Sequence, residues 1–248
     1  MKGNYHARPT PHGTMAGPEI LKERAGIAAC AFISDGMSIG LGTGSTVKYS
    51  IIEIARMIKQ DGLKIRGVPT SEETKKLATS LGIPLIGLHD AANLDITIDG
   101  ADEFDPKFDL IKGGGGALTR EKIVALASNS MVVVADSSKQ VGALGAFPLP
   151  IEVDRLLWRE AMSEISEFCP GSVILRGGEH NPYITDNDGL ILDCSFGPTI
   201  SEPSTMEPRL SSIAGVVEVG LFVGICDAVV MATADGLETL LRTDGRLN

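Results

Sequence analysis

A chain of 248 residues with a 43% hydrophobic fraction has enough material for one large or two modest domains around a real core. Its 22 Lys and Arg against 32 Asp and Glu give a net charge of -10, which argues against nucleic acid and admits a small anionic ligand only where a local cationic pocket receives it. Cys30, Cys169, Cys194 and Cys226 have neither CxxC spacing nor the density of a disulfide scaffold, which points to reduced, buried thiols in a cytoplasmic protein.

Residues 1–17 lack the apolar segment of a secretory signal, and residues 1–20 read as a flexible extension. From there, branched apolar runs alternate with helical periodicity, the pattern of a parallel sheet covered by helices. The spacing predicts a helix over Leu21–Ile33, a strand over Met37–Gly40, and a helix over Ser45–Lys59 with Val47, Ile51, Ile54, Ala55 and Ile58 on one face. A strand follows over Lys64–Val68, a helix over Ser71–Ser80, and strands over Pro84–Ile86, Leu94–Ile98 and Met131–Ala135. Beyond Pro148-Leu149-Pro150 the order becomes strand Ile151–Val153, helix Leu156–Phe168, strands Ser172–Leu175 and Leu190–Cys194, helix Pro203–Ile213 and strand Gly215–Val219. That βαββαβ order predicts a small ferredoxin-like α+β domain over residues 148–220. The apolar tract Ile213–Ala232 is broken by Glu218 and Asp227, each costing about 2.5–3.5 kcal/mol inside a membrane span, so buried strands fit it better. Val223–Ala232 returns to the first sheet and Leu237–Leu241 reads as a closing helix. The expected fold is α/β: a Rossmann-like, mostly parallel sheet flanked by helices over residues 21–147 and 221–248, with the smaller domain inserted.

Three clusters carry chemistry. Gly42-Thr43-Gly44-Ser45-Thr46 lies between a strand and a helix; it lacks the lysine of a P-loop and the last glycine of a dinucleotide fingerprint. Its free amides and hydroxyls suit a phosphate, although a turn capped by Ser45 is the plainer alternative. Asp99-Gly100-Ala101-Asp102-Glu103 follows an apolar strand, and a turn at Gly100 brings Asp99 and Asp102 to one cleft. A capping turn is the alternative, as is a metal loop with Glu103, Asp105 and Asp109, although the spacing does not fit an EF-hand and no His is near. Lys112-Gly113-Gly114-Gly115-Gly116 is a glycine loop where backbone can approach a ligand, or else a surface linker. Glu121 falls in the first turn of a helix starting near Thr119, where the dipole favours its carboxylate form. Carboxylates beside an ammonium are what proton transfer next to a carbonyl requires.

In this order the motifs resemble those of type A ribose-5-phosphate isomerase from about Leu21 onward. The resemblance rests also on Val68-Pro69-Thr70-Ser71, Arg120-Glu121-Lys122, Asp136-Ser137-Ser138-Lys139, Thr185-Asp186-Asn187, Ile191-Leu192-Asp193 and Gly215-Val216-Val217-Glu218. It implies interconversion of D-ribose 5-phosphate and D-ribulose 5-phosphate without metal or organic cofactor, with Glu121 as proton acceptor and Asp99, Asp102 and Lys112 as its catalytic companions. It also implies a substrate site lined by Thr43, Gly44, Ser45 and Thr46, by Asp99, Gly100, Ala101 and Asp102, and by Lys112, Gly113, Gly114, Gly115, Lys139 and Lys22. Members are dimeric or tetrameric. The chain departs from the family in its longer N-terminus and in Asn187-Asp188-Gly189, where Asn-Gly-Asn is commoner.

The mechanism expected from these residues is proton transfer between C2 and C1 through a cis-enediolate, with Lys112 on the oxyanion and the phosphate held near the Gly42 turn or Lys139. Two other readings stand beside it: a related activity on hexose phosphates, such as a lactonase or an amino-sugar phosphate deaminase, and a silent sugar-phosphate sensor. A sensor needs the phosphate cradle but no proton acceptor.

Overall fold

The computed structural model describes residues 17–91 and 93–247. The extension expected over residues 1–20 lies outside the described residues as far as residue 16. Helix α1, Pro18–Ala29, begins earlier than expected because Pro18 sits at its first position, where a missing N–H costs nothing. Five parallel strands follow the expected rhythm: β1 Ser38–Leu41, β2 Arg66–Pro69, β3 Ile96–Gly100, β6 Met131–Asp136 and β12 Ala228–Ala232. They form a six-stranded sheet in the order β13-β12-β6-β3-β1-β2, with helices α2 (Val47–Arg56), α3 (Glu72–Leu81) and α4 (Leu118–Leu126) as crossovers. Ser71 caps α3 by accepting a 3.0 Å bond from the Thr74 amide.

Several elements differ from expectation. Leu237–Leu241 is not a helix but the edge strand β13, antiparallel to β12 over five residue pairs from Ala228↔Leu241 to Ala232↔Leu237. Pro84–Ile86 forms only an isolated bridge between Leu85 and Gly67, and α2 ends in a π-helical turn over Met57–Asp61. A three-stranded sheet of two-residue pieces, β4 (Glu103–Phe104), β5 (Leu110–Ile111) and β11 (Leu221–Phe222), joins the acidic motif to the segment that returns from the smaller sheet.

That smaller sheet is antiparallel, in the order β10-β7-β9-β8, from β7 Leu149–Val153, β8 Val173–Leu175, β9 Leu190–Cys194 and β10 Val216–Val219. With α5 (Trp158–Ser166) and α6 (Pro203–Ser211) the chain order is βαββαβ, the ferredoxin-like arrangement. Its own core gathers Ile151, Val153, Ala161, Ile165, Leu192 and Leu210. No described helix is long and apolar enough to cross a membrane.

The large sheet reverses its winding between β1 and β3: the chain leaves β1 toward β2 and returns on the other side to β3. Open α/β sheets bind ligands at such a switch point, beyond the carboxyl ends of the strands. Here the segment after β1 carries Thr43–Thr46, the end of β3 and the loop after it carry Asp99–Asp102, and the turn after β6 carries Lys139. Helix α4 lies close over this point because β1 has a glycine beneath it. A Cβ on Gly40 would fall 2.0 Å from Thr97 Oγ1 and 2.6 Å from Val124 Cγ1. Overpacking of this kind costs about 1–3 kcal/mol, so Gly40→Ala is expected to lower the urea midpoint by the equivalent of that amount without altering the unfolding slope.

Candidate active site

A cavity of about 170 Å³ opens at the switch point and is lined by Thr43–Thr46, Gly100–Asp102, Lys112, Gly113, Gly115, Glu121, Lys139 and Lys22. Of the residues expected at the site, Gly114 and Asp99 do not line it. Gly114 instead donates its amide to Asp102 Oδ2 at 2.7 Å, and Asp99 lies wholly buried behind the wall. A larger groove of about 540 Å³ beside α3 and α4 has its charges spent on one another at the rim, Glu72 pairing with Arg120 at 3.0 Å and Lys75 at 3.6 Å.

The centre of the cavity is a buried triad. Lys112 follows β5, its ammonium donates to the Gly100 carbonyl at 2.6 Å, and it stands 3.0 Å from Asp99 Oδ2 and 3.3 Å from Glu121 Oε1. Asp99 Oδ1 accepts from the amides of Thr43 at 3.0 Å and Gly100 at 2.7 Å, so the carboxylate ties the end of β3 to the turn after β1. Asp99 Oδ2 meets Lys112 only as an ion pair, without a directed hydrogen bond, and Glu121 Oε2 is buried with no partner at all. An unpaired buried carboxylate oxygen is costly, and active sites are where such costs are retained.

Glu121 is the fourth residue of α4, its amide already bonded to the Ala117 carbonyl at 3.0 Å. The expectation that the helix dipole favours its carboxylate form is overruled. Burial, then the charge of Asp99, push its carboxyl up to about 8 against the attraction of Lys112. Asp99 is likewise raised by burial, with Lys112 opposing. Burial pulls the Lys112 ammonium down, but the two carboxylates outweigh it and hold the group well above the ordinary lysine range. Two buried carboxylates share one cation, so the pair retains a proton near neutrality and titrates as a unit.

The same cavity is also lined where the chain turns from β1 into α2. The amides of Gly44, Ser45 and Thr46 have no acceptor among the described residues, and Lys22 and Lys139 approach the same space. Lys22 is held by Glu19 at 3.0 Å. Thr43 points away, its hydroxyl donating to Ser71 Oγ at 2.8 Å and lying 2.7 Å from Thr70 Oγ1, which locks the turn to the start of α3. Free amides, a helix start and two lysines form an anion site. The possible metal ligands beyond Asp102 are otherwise engaged. Glu103 accepts from the amides of Gly145 at 2.8 Å and Phe147 at 2.6 Å, Asp105 from those of Lys107 and Asp109, and Asp109 from that of Gly224. Among the described residues no cluster of three His, Cys, Asp or Glu could hold a metal ion.

Sequence reasoning missed the groups that the smaller sheet sends to this site. Arg176 Nη1 donates to the carbonyls of Gly113 and Gly114, both at 3.1 Å, and Tyr183 donates its hydroxyl to that of Gly115 at 3.1 Å. Buried Glu152 on β7 accepts from Thr119, from Thr185 at 2.6 Å and from Asn187 at 3.4 Å. The departing turn is used here: Asp188 takes the left-handed conformation, φ 64°, that asparagine and aspartate tolerate best after glycine. The Ile191-Leu192-Asp193 motif was visible in the sequence, but the partner of Asp193 was not.

The family model of ribose 5-phosphate isomerase A (phosphoriboisomerase A) matches residues 66–236. Ribose-5-phosphate isomerase A of Cereibacter sphaeroides is 47% identical over 228 residues, covering 90% of this chain and 91% of that protein. Among solved structures, ribose 5-phosphate isomerase A of Methanocaldococcus jannaschii superposes with a TM-score of 0.85 at 40% identity, covering 91% of this chain and all (100%) of that one. A D-ribose-5-phosphate isomerase in complex with phospho-erythronic acid superposes with a TM-score of 0.88 at 41% identity, covering 92% and 100%. With a match of this extent in both sequence and fold, the chain belongs to the ribose 5-phosphate isomerase A family of aldose-ketose isomerases.

Proposed function

We propose that this chain interconverts D-ribose 5-phosphate and D-ribulose 5-phosphate by metal-independent proton transfer, with Glu121 as the base that moves the proton between C2 and C1. The observation that carries this reading is the buried Glu121 carboxyl: one oxygen without a partner, the other 3.3 Å from an ammonium, in a side chain that lines the same cavity as Lys22, Lys139 and the turn with the free amides of Gly44, Ser45 and Thr46. A base whose pKa lies near the working pH is efficient in both directions, as a reversible isomerisation demands.

The substrate phosphate binds the amides of Gly44, Ser45 and Thr46 with Lys139 and Lys22, far from the reacting carbons. Its binding energy then holds C1 and C2 against Glu121. Glu121 removes the C2 proton of the open-chain aldose, negative charge grows on the C1 oxygen beside Lys112, and the same carboxyl returns the proton to C1. Asp102, which lines the cavity, assists proton movement between sugar oxygens during ring opening and enediol formation. Asp99 acts behind the wall, fixing Lys112 and the Thr43 amide. The related isomerase bound to phospho-erythronic acid supports a ligand of this class, since a phosphorylated sugar acid is anionic and Lys22, Lys112 and Lys139 all line this cavity.

Glu121→Gln keeps the shape of the side chain and removes the base. In chelator-treated protein its turnover of ribose 5-phosphate should fall by roughly 10²–10⁴-fold with the substrate still bound; near-normal turnover would take Glu121 out of the base role. In the unmodified enzyme kcat/KM should rise with pH as the Asp99–Glu121 pair gives up its proton, the limb centred on the Glu121 value of about 8; a flat profile from pH 6 to about 9 would contradict this. The same value acts on stability. The folded pKa lies above the ordinary 4.5, so the fold binds the protonated form preferentially, and stability is lost as pH rises from about 4.5 through about 8. Thermal melts should therefore show Glu121→Gln gaining on the parent across that window and levelling off above it.

A further inference from the structure

We propose that Arg176 is a positioning residue of the isomerisation: it fixes one peptide plane of the glycine loop and through that plane holds Asp102 in place. The inference rests on the isomerase reading above and goes beyond it to a residue that touches neither the cavity nor any proposed reacting group.

The plane in question joins Gly113 to Gly114. Its carbonyl accepts from Arg176 Nη1 at 3.1 Å, and its N–H donates to Asp102 Oδ2 at 2.7 Å. In a trans peptide the carbonyl and the N–H point in opposite directions, so a single plane is gripped at both ends. Glycines on both sides offer no Cβ to oppose a flip of that plane, and Gly113 already sits at φ 104°, so the plane is held by its hydrogen bonds: Arg176 and the Gly116 amide, the latter at 2.9 Å, on the carbonyl, and Asp102 on the N–H. A flip would swing the N–H away from Asp102 and turn the carbonyl oxygen toward that carboxylate.

Arg176 itself is immobilised. Its Nε and Nη2 donate to the two oxygens of Asp193 on β9 at 2.9 and 2.5 Å, leaving Nη1 for the loop. The bidentate fork fixes the direction of the remaining donor, which a lysine cannot reproduce. Nη1 also reaches the Gly114 carbonyl at 3.1 Å, Tyr183 takes that of Gly115 at 3.1 Å, and the Tyr183 ring occupies the space where a Cβ on Gly116 would lie. Three successive carbonyls are thus tied to Arg176 and Tyr183. This assigns a purpose to the Asp193 motif.

The test compares the parent enzyme with Arg176→Lys, Arg176→Ala and Tyr183→Phe, using ribose 5-phosphate as substrate and inorganic phosphate as a competitive probe of the distant anion site. A misplaced loop should lower kcat by roughly ten- to hundredfold in both Arg176 variants and less in Tyr183→Phe. KM and phosphate inhibition should stay near the parent values, and millimolar guanidinium should restore part of the kcat of Arg176→Ala. Parent-like kcat in Arg176→Lys and Arg176→Ala would overturn the proposal. So would a loss of kcat that runs in step with lost phosphate inhibition and does not respond to guanidinium, which marks a general structural staple. A parent enzyme that fails to turn over ribose 5-phosphate would instead overturn the isomerase reading and this inference with it.

Discussion

The rest of the structure depends on one lysine shared by two buried carboxylates. Lys112 is removed from solvent, as are Asp99 and Glu121, and its single charge cannot neutralise both. Burying ions costs several kcal/mol each after relaxation, and an imperfectly compensated set offsets only part of this. The cost is confined to one oxygen of each acid. Asp99 Oδ1 has two backbone amides, whereas Asp99 Oδ2 lacks a directed bond and Glu121 Oε2 lacks any partner. The fold gives Asp99 the better donors, two backbone amides on one oxygen, and gives Glu121 none beyond its ion pair with Lys112. Under the proposed mechanism that asymmetry separates two similar acids into a counter-ion and a base.

Such an arrangement requires α4 not to rotate, and an apolar stripe alone would hold it loosely. Successive helical residues lie about 100° apart, so four in a row span the circumference. On α4 each of the four has a polar partner, three through directed hydrogen bonds and Glu121 through an ion pair. Thr119 donates to Glu152, and Arg120 binds Asn187 at 2.8 Å and Glu72 at 3.0 Å. Glu121 meets Lys112, and Lys122 donates to Glu207, Glu218 and the Val219 carbonyl at 2.7, 2.6 and 2.7 Å. Phe222 lies between the two buried ammonium groups, 5.4 Å from that of Lys112 and 5.1 Å from that of Lys122. Five of these seven partners, Glu152, Asn187, Glu207, Glu218 and Val219, come from the segment that holds the smaller sheet with its helices and loops. Its contribution to the site is a grip on the helix that carries Glu121 and on the glycine loop beside it.

This division of labour explains what the sequence reveals and what it hides. The parallel sheet, the ferredoxin-like insertion and the chemical motifs are legible because each depends on residues adjacent in the chain, with local periodicity or spacing as the signal. Leu237–Leu241 misleads because apolar residues at 237, 240 and 241 repeat the helical spacing, while the free edge of β12 dictates a strand. Two-residue strands such as β4 and β11 are too short to leave any period. Arg176 meets Gly113 across 63 positions and Glu152 meets Thr119 across 33, with no local pattern to mark either. The helix start, which favours the Glu121 carboxylate, is legible because it is local, whereas burial and Asp99, which raise its proton affinity, leave no local signal.

The shared lysine also bears on why the chemistry can run both ways. In the proposed transfer the negative charge of Glu121 disappears as it takes the C2 proton, and an equal charge appears on the enediolate oxygen. Under the proposed mechanism both positions lie beside the same ammonium. The charge facing Lys112 is therefore conserved through the transfer, and little reorganisation of the surroundings is needed as it moves. Asp99 is itself anchored by the amides of Thr43 and Gly100 rather than by Glu121, so under the proposed mechanism it holds Lys112 independently of the proton that Glu121 carries. A second carboxylate close to the base would be a liability if its only effect were repulsion. Here that repulsion raises the proton affinity of Glu121 while the ammonium between them keeps the acid from becoming inert, and a base so balanced accepts a proton from one carbon and releases it to the next with similar ease.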